Sequence, residues 1–231
     1  MSEPTITAGF LTRNRLPDLR RAVNSFIATV GVPFHVLVMF DDDSAGYNAY
    51  DPPPGVRKAL VTMRHYYARG MNRMYQTMKE TFPDMDYFMV SNDDVEFLMP
   101  HWGVRTLNEF PNLFPNDQLG LLEIGGLEER CAHYVSRRAL FDQHFDGLLA
   151  EPCYTMYYSD SELMQRLRAM NKYRVIERSN AICIHYIVRD SLRYEVERWW
   201  HADRAEYERR AKLYGWELIK KPDEGPMNEH T

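Results

Sequence analysis

Residues 34–43 read Phe34-His35-Val36-Leu37-Val38-Met39-Phe40-Asp41-Asp42-Asp43, an apolar run that ends abruptly in three consecutive acids. A short apolar run rich in β-branched and aromatic side chains predicts a strand buried on both faces. The pattern recurs upstream in Thr5-Ile6-Thr7-Ala8-Gly9-Phe10-Leu11-Thr12 and downstream in Tyr87-Phe88-Met89-Val90. Between the first two runs, the turn Arg13-Asn14-Arg15 leads into a helix with Pro17 in its first turn and Leu19, Ala22, Val23 and Phe26 on one face, stopping near Gly31. Between the second and third, a short strand is expected over Val56 to Met63. A helix then follows over Gly70 to Thr81 with Met71, Met74, Tyr75 and Met78 inward. The intervening stretch from Ser44 to Gly55, with Gly46, Asn48 and Pro52 to Pro54, is expected to be an exposed loop. Strands alternating with helices build βαβ units, so the fold class is α/β, Rossmann-like, with a mainly parallel central sheet flanked by helices. Ligands of such sheets sit beyond the carboxyl ends of the strands. The three acids after residue 40 fall on that rim, as does a second acidic cluster in Ser91-Asn92-Asp93-Asp94-Val95-Glu96.

The second half is less regular. A helix is expected over His101 to Phe110, with strands over Gly120 to Ile124 and Cys131 to Ser136. Asp160 to Met170 shows Leu163, Leu167 and Met170 at helical spacing, and Asn171 suits a left-handed cap after it. Strands over Tyr173 to Glu177 and Ala181 to Val188 and a charged helix over Tyr194 to Tyr214 complete the order. With 231 residues, 45% hydrophobic and 13% aromatic, the chain can bury one compact core. As in many α/β enzymes of this size, its division is expected to be a nucleotide-binding half over 1–100, a substrate half over 101–192 and a carboxyl-terminal helix and tail over 193–231. No apolar run approaches a membrane span and no leader pattern opens the chain, so a cytoplasmic protein is expected. The three cysteines, Cys131, Cys153 and Cys183, form no paired motif and read as reduced, mostly packed thiols. A net charge of −5 argues against a broad nucleic-acid footprint.

The chemistry lies in the polar residues that interrupt these elements. A carboxylate pair at a strand end can hold a hard divalent cation through oxygen, although Asn and Asp also gather in turns for local hydrogen bonding. Asp41, Asp42 and Asp43 could accept hydrogen bonds from a nucleotide's base and ribose, or cap a loop entry. Asp160 opens a helix, where an N-cap aspartate is common for capping reasons alone. His185 stands inside Ile182-Cys183-Ile184-His185-Tyr186-Ile187, where a histidine is either a core residue or a ligand.

The ordered set of these pieces resembles the large family of inverting glycosyltransferases with the GT-A fold, across roughly residues 5 to 188. By that resemblance Thr12, Arg13 and Asn14 of the Thr12-Arg13-Asn14-Arg15 turn touch the nucleotide. Asp41-Asp42-Asp43-Ser44 resembles the Asp-Asp-Gly-Ser motif, placing Asp42 against the uracil or ribose, with Asp41 beside it. Arg69-Gly70-Met71-Asn72 is similar to an Arg-Asn-x-Gly region near the donor, which brings in Arg69. Asn92-Asp93-Asp94 stands where the family has Asp-x-Asp, making Asp94 the metal ligand, with Asn92 and Asp93 beside it. Val135-Ser136-Arg137-Arg138 and Phe145-Asp146 resemble the segment before the acceptor site. Ser159-Asp160-Ser161-Glu162-Leu163 followed by Arg166 resembles Glu-Asp-x-Asp-Leu-x-x-Arg, which makes Asp160 the catalytic base. His185 matches a histidine that completes the metal site. The resemblance implies a nucleotide-sugar donor, a UDP-sugar first, with Mn2+ or Mg2+. Asp43, Asn92, Ser159 and Asn171 depart from the pattern, replacing Gly, Asp, Glu and Gly.

The acceptor implied is a hydroxyl on a glycan precursor, a small molecule, a protein or a modified DNA base. The last draws on Arg193, Arg198, Arg204, Arg209, Arg210 and Lys212 with Trp199, Trp200 and Tyr207 near the carboxyl terminus. Interleaved Glu195, Glu197, Asp203, Glu206 and Glu208 favour instead a solvated helix with i,i+4 pairs and a tryptophan-anchored inner face. A non-catalytic nucleotide-sugar or glycan-binding module is the non-enzyme alternative. A nucleotidyltransferase lacks support, since no Gly-rich loop follows the first strand.

Overall fold

The computed structural model describes residues 3–125, 133–176, 182–186 and 198–216. Its amino-terminal part lays down a parallel sheet one βα unit at a time. β1 (Ile6–Thr12) is followed by α1 (Leu16–Thr29), which carries Pro17 in its first turn and buries Leu19, Ala22, Val23 and Phe26. β2 (Phe34–Asp41), β3 (Val56–Val61) and β4 (Tyr87–Asn92) lie parallel to it, with α3 (Tyr66–Thr81) crossing between the last two. The chain steps outward from β1 through β2 to β3, then returns so that β4 pairs on the other side of β1. This reversal opens a crevice at the carboxyl ends of β1 and β4, the place where doubly wound sheets bind ligands.

Beyond β4 the chain forms β5 (Val95–Phe97), α4 (Trp102–Leu113), β6 (Leu121–Glu123), β7 (Tyr134–Arg137) and α5 (Arg138–His144). Then come α6 (Ser159–Ala169), β8 (Tyr173–Val175), β9 (Cys183–His185) and α7 (Trp200–Tyr214). The described sheet runs β3-β2-β1-β4-β7-β6-β8, parallel except for β7, which is antiparallel to both neighbours. β5 and β9 form a separate antiparallel ribbon.

Two apolar layers cover the sheet. On one face Phe10, Phe26, Phe97 and Trp102 meet at ring-centroid distances of 5.6–6.3 Å, mostly edge to face. On the other, Met71, Met74 and Met78 of α3 pack with Met39, Phe88 and Val90. Full burial of each such side chain contributes about 1.5–3 kcal/mol. α3 approaches β1 so closely that a Cβ on Gly9 would stand 2.6 Å from Met78 Sδ.

Some boundaries differ from expectation. Part of the presumed loop after Asp43 is a helix, α2 (Ser44–Ala49), because Asp43 caps it by accepting the Gly46 N–H at 2.8 Å. The prolines begin only after α2 has ended at Tyr50, which is buried against Phe40. α3 starts four residues before Gly70, and α4 continues through Pro111 to Leu113. Asp160 is not the N-cap of α6. Tyr158 is, in a left-handed conformation with φ 65°. Asn171 does take the left-handed position (φ 57°), and the Asn171 and Lys172 N–H groups close the helix on the Arg168 and Leu167 carbonyls at 2.9 and 2.8 Å. Cys183 is buried, whereas Cys153 is exposed. Cys131, Glu177, Ala181, Val188, Arg193 and the expected helix start at Tyr194 lie outside the described residues.

Candidate active site at the carboxyl rim of the sheet

The three acids at the end of β2 part company. Asp43 is buried and pins two chain segments, accepting the Asn14 N–H at 2.9 Å as well as that of Gly46. Asp41 is buried too and accepts the His65 N–H at 2.9 Å, fixing the loop that enters α3. Burial raises its pKa, partly offset by that N–H and by the charges of His65, Arg13 and Arg64. Asp42, in a left-handed conformation with its own N–H bonded to the Val61 carbonyl at 2.8 Å, is exposed. Its carboxylate stands 3.6 Å from Arg13. Arg13 keeps Nε and Nη1 buried without hydrogen-bond acceptors.

At the end of β4, Asn92 is half-buried and pairs in register with Leu11, and the next two residues turn inward. Asp93 accepts the Thr12 hydroxyl at 2.7 Å. Arg15 bridges the carboxylate pair, 3.6 Å from Asp93 and 3.4 Å from Asp94. The β5–β9 ribbon pairs Val95 with His185, and this register sets His185 Nε2 3.2 Å from Asp94 Oδ1. Burial, with the adjacent Asp94 charge, pushes Asp93 up to about 7. Burial also opposes ionisation of Asp94, but contact with His185 and the Arg15 charge hold it below the ordinary carboxylate value.

The pattern of the sequence did not disclose His133. Because β7 runs antiparallel to β4, pairing Tyr134 with Val90 and Arg137 with Tyr87, His133 is delivered to the rim and Arg137 and Arg138 to the opposite edge. The latter two pair there with Asp86 and Asp142, away from the rim. His133 is fully buried, its Nδ1 3.1 Å from the Ser91 hydroxyl and its ring edge-on to His185 at 4.8 Å. Burial, reinforced by the neighbouring His185, pushes its pKa down to about 3.

A divalent cation fits this corner in part. Asp94 Oδ1 and His185 Nδ1 are buried without hydrogen bonds, the His185 contact of Asp94 aside. Among the described residues no three His, Cys, Asp or Glu side chains form a metal cage. A cation here therefore requires ligand oxygens to complete its shell, as phosphate-bound Mg2+ does.

The segment that leads to Asp160 is tied to α3. The first turn of α3, just past the carboxyl end of β3, bonds the segment before α6: Ala68 N–H to the Thr155 carbonyl at 3.3 Å and Tyr67 N–H to Met156 Sδ at 3.2 Å. Asn72, one turn on, grips Leu149 and Ala150 through three hydrogen bonds of 2.7–3.0 Å. Asp160 follows in the first turn of α6, partly exposed, accepting the Ser161 N–H at 2.8 Å. Arg69 is exposed on the first turn of α3. The rim thus gathers Thr12, Arg13, Asn14, Asp42, Asn92, Asp93, Asp94 and His185 around the crevice, with Arg69 and Asp160 on the adjoining segments. Asp41 belongs to the frame.

No protein-family model matches the chain, and no curated protein matches its sequence. Its fold is similar to that of mannosyltransferase PcManGT from Pyrobaculum calidifontis in complex with GDP-Man and Mn2+, with a TM-score of 0.62 at 13% identity, covering 95% of this chain and 67% of that one. It is also similar to residues 1–349 of S. aureus TarS in complex with UDP-GlcNAc, with a TM-score of 0.61 at 13% identity, covering 91% of this chain and 73% of that one. What the chain shares with them is the α/β fold of the GT-A type.

Proposed function

We propose that the chain is a glycosyltransferase that moves a sugar from a nucleoside diphosphate, UDP first, to an acceptor hydroxyl with inversion. The observation that carries this reading is the meeting of exposed Asp42, the acceptor-poor Arg13 and the Asp93-Asp94-His185 corner at the crevice of a GT-A sheet. In this reading Asp42 and the turn of residues 12–14 would receive a base and ribose. Arg13 would turn its two acceptor-free donors to a diphosphate, and exposed Arg69 is the second cation offered to it. Mn2+ or Mg2+, with His185 favouring Mn2+, would be held by Asp94, His185 and the Asn92 amide oxygen, and supplies charge neutralisation of the departing diphosphate.

Asp160 takes the proton of the acceptor hydroxyl as that oxygen bonds to the anomeric carbon and the bond to the diphosphate oxygen breaks. One displacement inverts the carbon. In this scheme residues up to about 100 serve the donor and residues 101–192 the acceptor. Among the described residues no helix is long and apolar enough to cross a membrane. The pairs Arg204–Glu208 and Arg209–Glu206 favour a solvated outer face of α7 over a DNA-binding one, and Arg210 is taken up inward by Glu162.

The test is release of nucleoside diphosphate from a panel of UDP- and GDP-sugars, with water or supplied alcohols as acceptor. Wild-type protein is expected to release one nucleotide, and Asp160→Asn to bind the same donor but release nothing. Undiminished release by Asp160→Asn would remove the base from the scheme.

A further inference from the structure

α7 makes its buried contacts with the segment that carries Asp160. Asp203, Tyr207 and Arg210 lie at i, i+4 and i+7, hence on one helical face. Asp203 is buried, and its carboxylate accepts three consecutive backbone N–H groups: Thr155 at 3.0 Å, Met156 at 2.7 Å and Tyr157 at 2.8 Å. Tyr207 stacks on Tyr158, the left-handed N-cap residue of α6, with ring centroids 5.1 Å apart and planes 21° apart. Arg210 grips Glu162 with two hydrogen bonds of 2.6 and 2.5 Å. Glu162 is fully buried and also accepts the Tyr154 hydroxyl at 2.8 Å. One helix face therefore holds the chain just before Asp160, at the cap, and two residues after it.

We propose that Asp203 and Arg210 are positioning residues, by which α7 fixes the N-terminus of α6 and with it the carboxylate of Asp160. The inference rests on the base role proposed for Asp160 and adds what holds it in place. A strained cap residue stays put only when its surroundings over-determine it, and three tethers around Tyr158 do so. A bidentate Arg–carboxylate pair fixes direction as well as distance, which Lys in its place does not. Displacing a catalytic group by about 1 Å costs on the order of a hundredfold in rate while leaving remote binding contacts intact.

The test uses the full chain with Arg210→Lys, which keeps the charge, and Asp203→Asn, which keeps an acceptor oxygen. UDP-glucose and GDP-mannose are the probes. Four quantities are read: nucleotide release, donor Kd by calorimetry, the thermal midpoint, and amide exchange across the chain. For Arg210→Lys the expected result is release slowed at least about tenfold with Kd changed less than about twofold. Amide exchange should rise over residues 154–163 and stay unchanged over 12–15 and 93–95. Asp203→Asn should behave likewise if it folds, and Arg210→Lys decides if it does not. Release at the wild-type rate in Arg210→Lys, or release and donor binding lost together, would overturn the positioning role. A wild-type protein that binds neither probe removes the transferase reading and the positioning role with it, whereas normal binding with unaltered release removes the positioning role alone.

Discussion

Asp93 and His133 carry opposite proton linkages a few residues from the proposed chemistry. Asp93 has a folded pKa raised to about 7, so the folded state holds a proton that the unfolded carboxylate gives up above about 4. Its contribution to stability is present below about pH 4 and is lost as pH rises toward 7. His133 has a folded pKa lowered to about 3, so it stays neutral while the unfolded imidazole protonates below about 6.5. Its contribution is present above that value and is lost as pH falls toward 3. Between about pH 4.8 and 5.8 the two slopes oppose each other, at about 1.4 kcal/mol per pH unit each. In Asp93→Asn the His133 slope stands alone, so denaturation midpoints should rise with pH across this window more steeply than in wild type; an unchanged profile would show that Asp93 is not held protonated. Asp94→Ala should abolish the cation-dependent part of nucleotide binding while Asp160→Asn retains it, as titrations with and without Mn2+ would read. That Asp94 and His185 would meet was legible in the order of the motifs, and the β5–β9 register brings them together. Arg15 between the two carboxylates, and His133, were not, since the first reads as one more turn residue and the second depends on a strand reversal.

At the scale of elements, local signals served well where a side chain acts on its own neighbours. The face of α1 and the inward methionines of α3 followed from spacing alone. The left-handed closure at Asn171 followed from its side chain. α2 escaped because its signal is one residue, Asp43, set before a stretch whose glycine and prolines argue for a loop. The same carboxylate ties α2 to the turn after β1, so Asp43→Ala should cost about 1–2 kcal/mol for the lost cap, measured by urea unfolding. It should also loosen nucleotide binding through residues 12–15. A stability change without any effect on binding would separate α2 from the site. α7 shows the converse: its outer pairs, Arg204–Glu208 and Arg209–Glu206, match the expected solvated helix. Asp203 and Arg210 turn inward because their partners lie 46 to 48 residues away, in contacts that helical periodicity does not encode.

Across the whole molecule, the parallel strands β1, β2 and β4 were readable because each is an apolar run buried on both faces, and the half-buried edge strand β3 followed from its place between a loop and a helix. The rim followed from their common direction. The arrangement of β6, β7 and β8 was not readable, since short strands of mixed direction leave no alternation that orders them. The sheet sets the crevice at the rim, α3 bonds the segment before α6, and α7 holds that same segment through Asp203 and Arg210. The account stands on the crevice being a nucleotide-sugar site. The most direct measurement is calorimetric titration of UDP, GDP and their sugar conjugates into the protein, first with Mn2+ and then with EDTA. Saturable binding of one nucleoside diphosphate and its conjugate, weakened by EDTA, is the predicted result; no binding of any of them under either condition would contradict it.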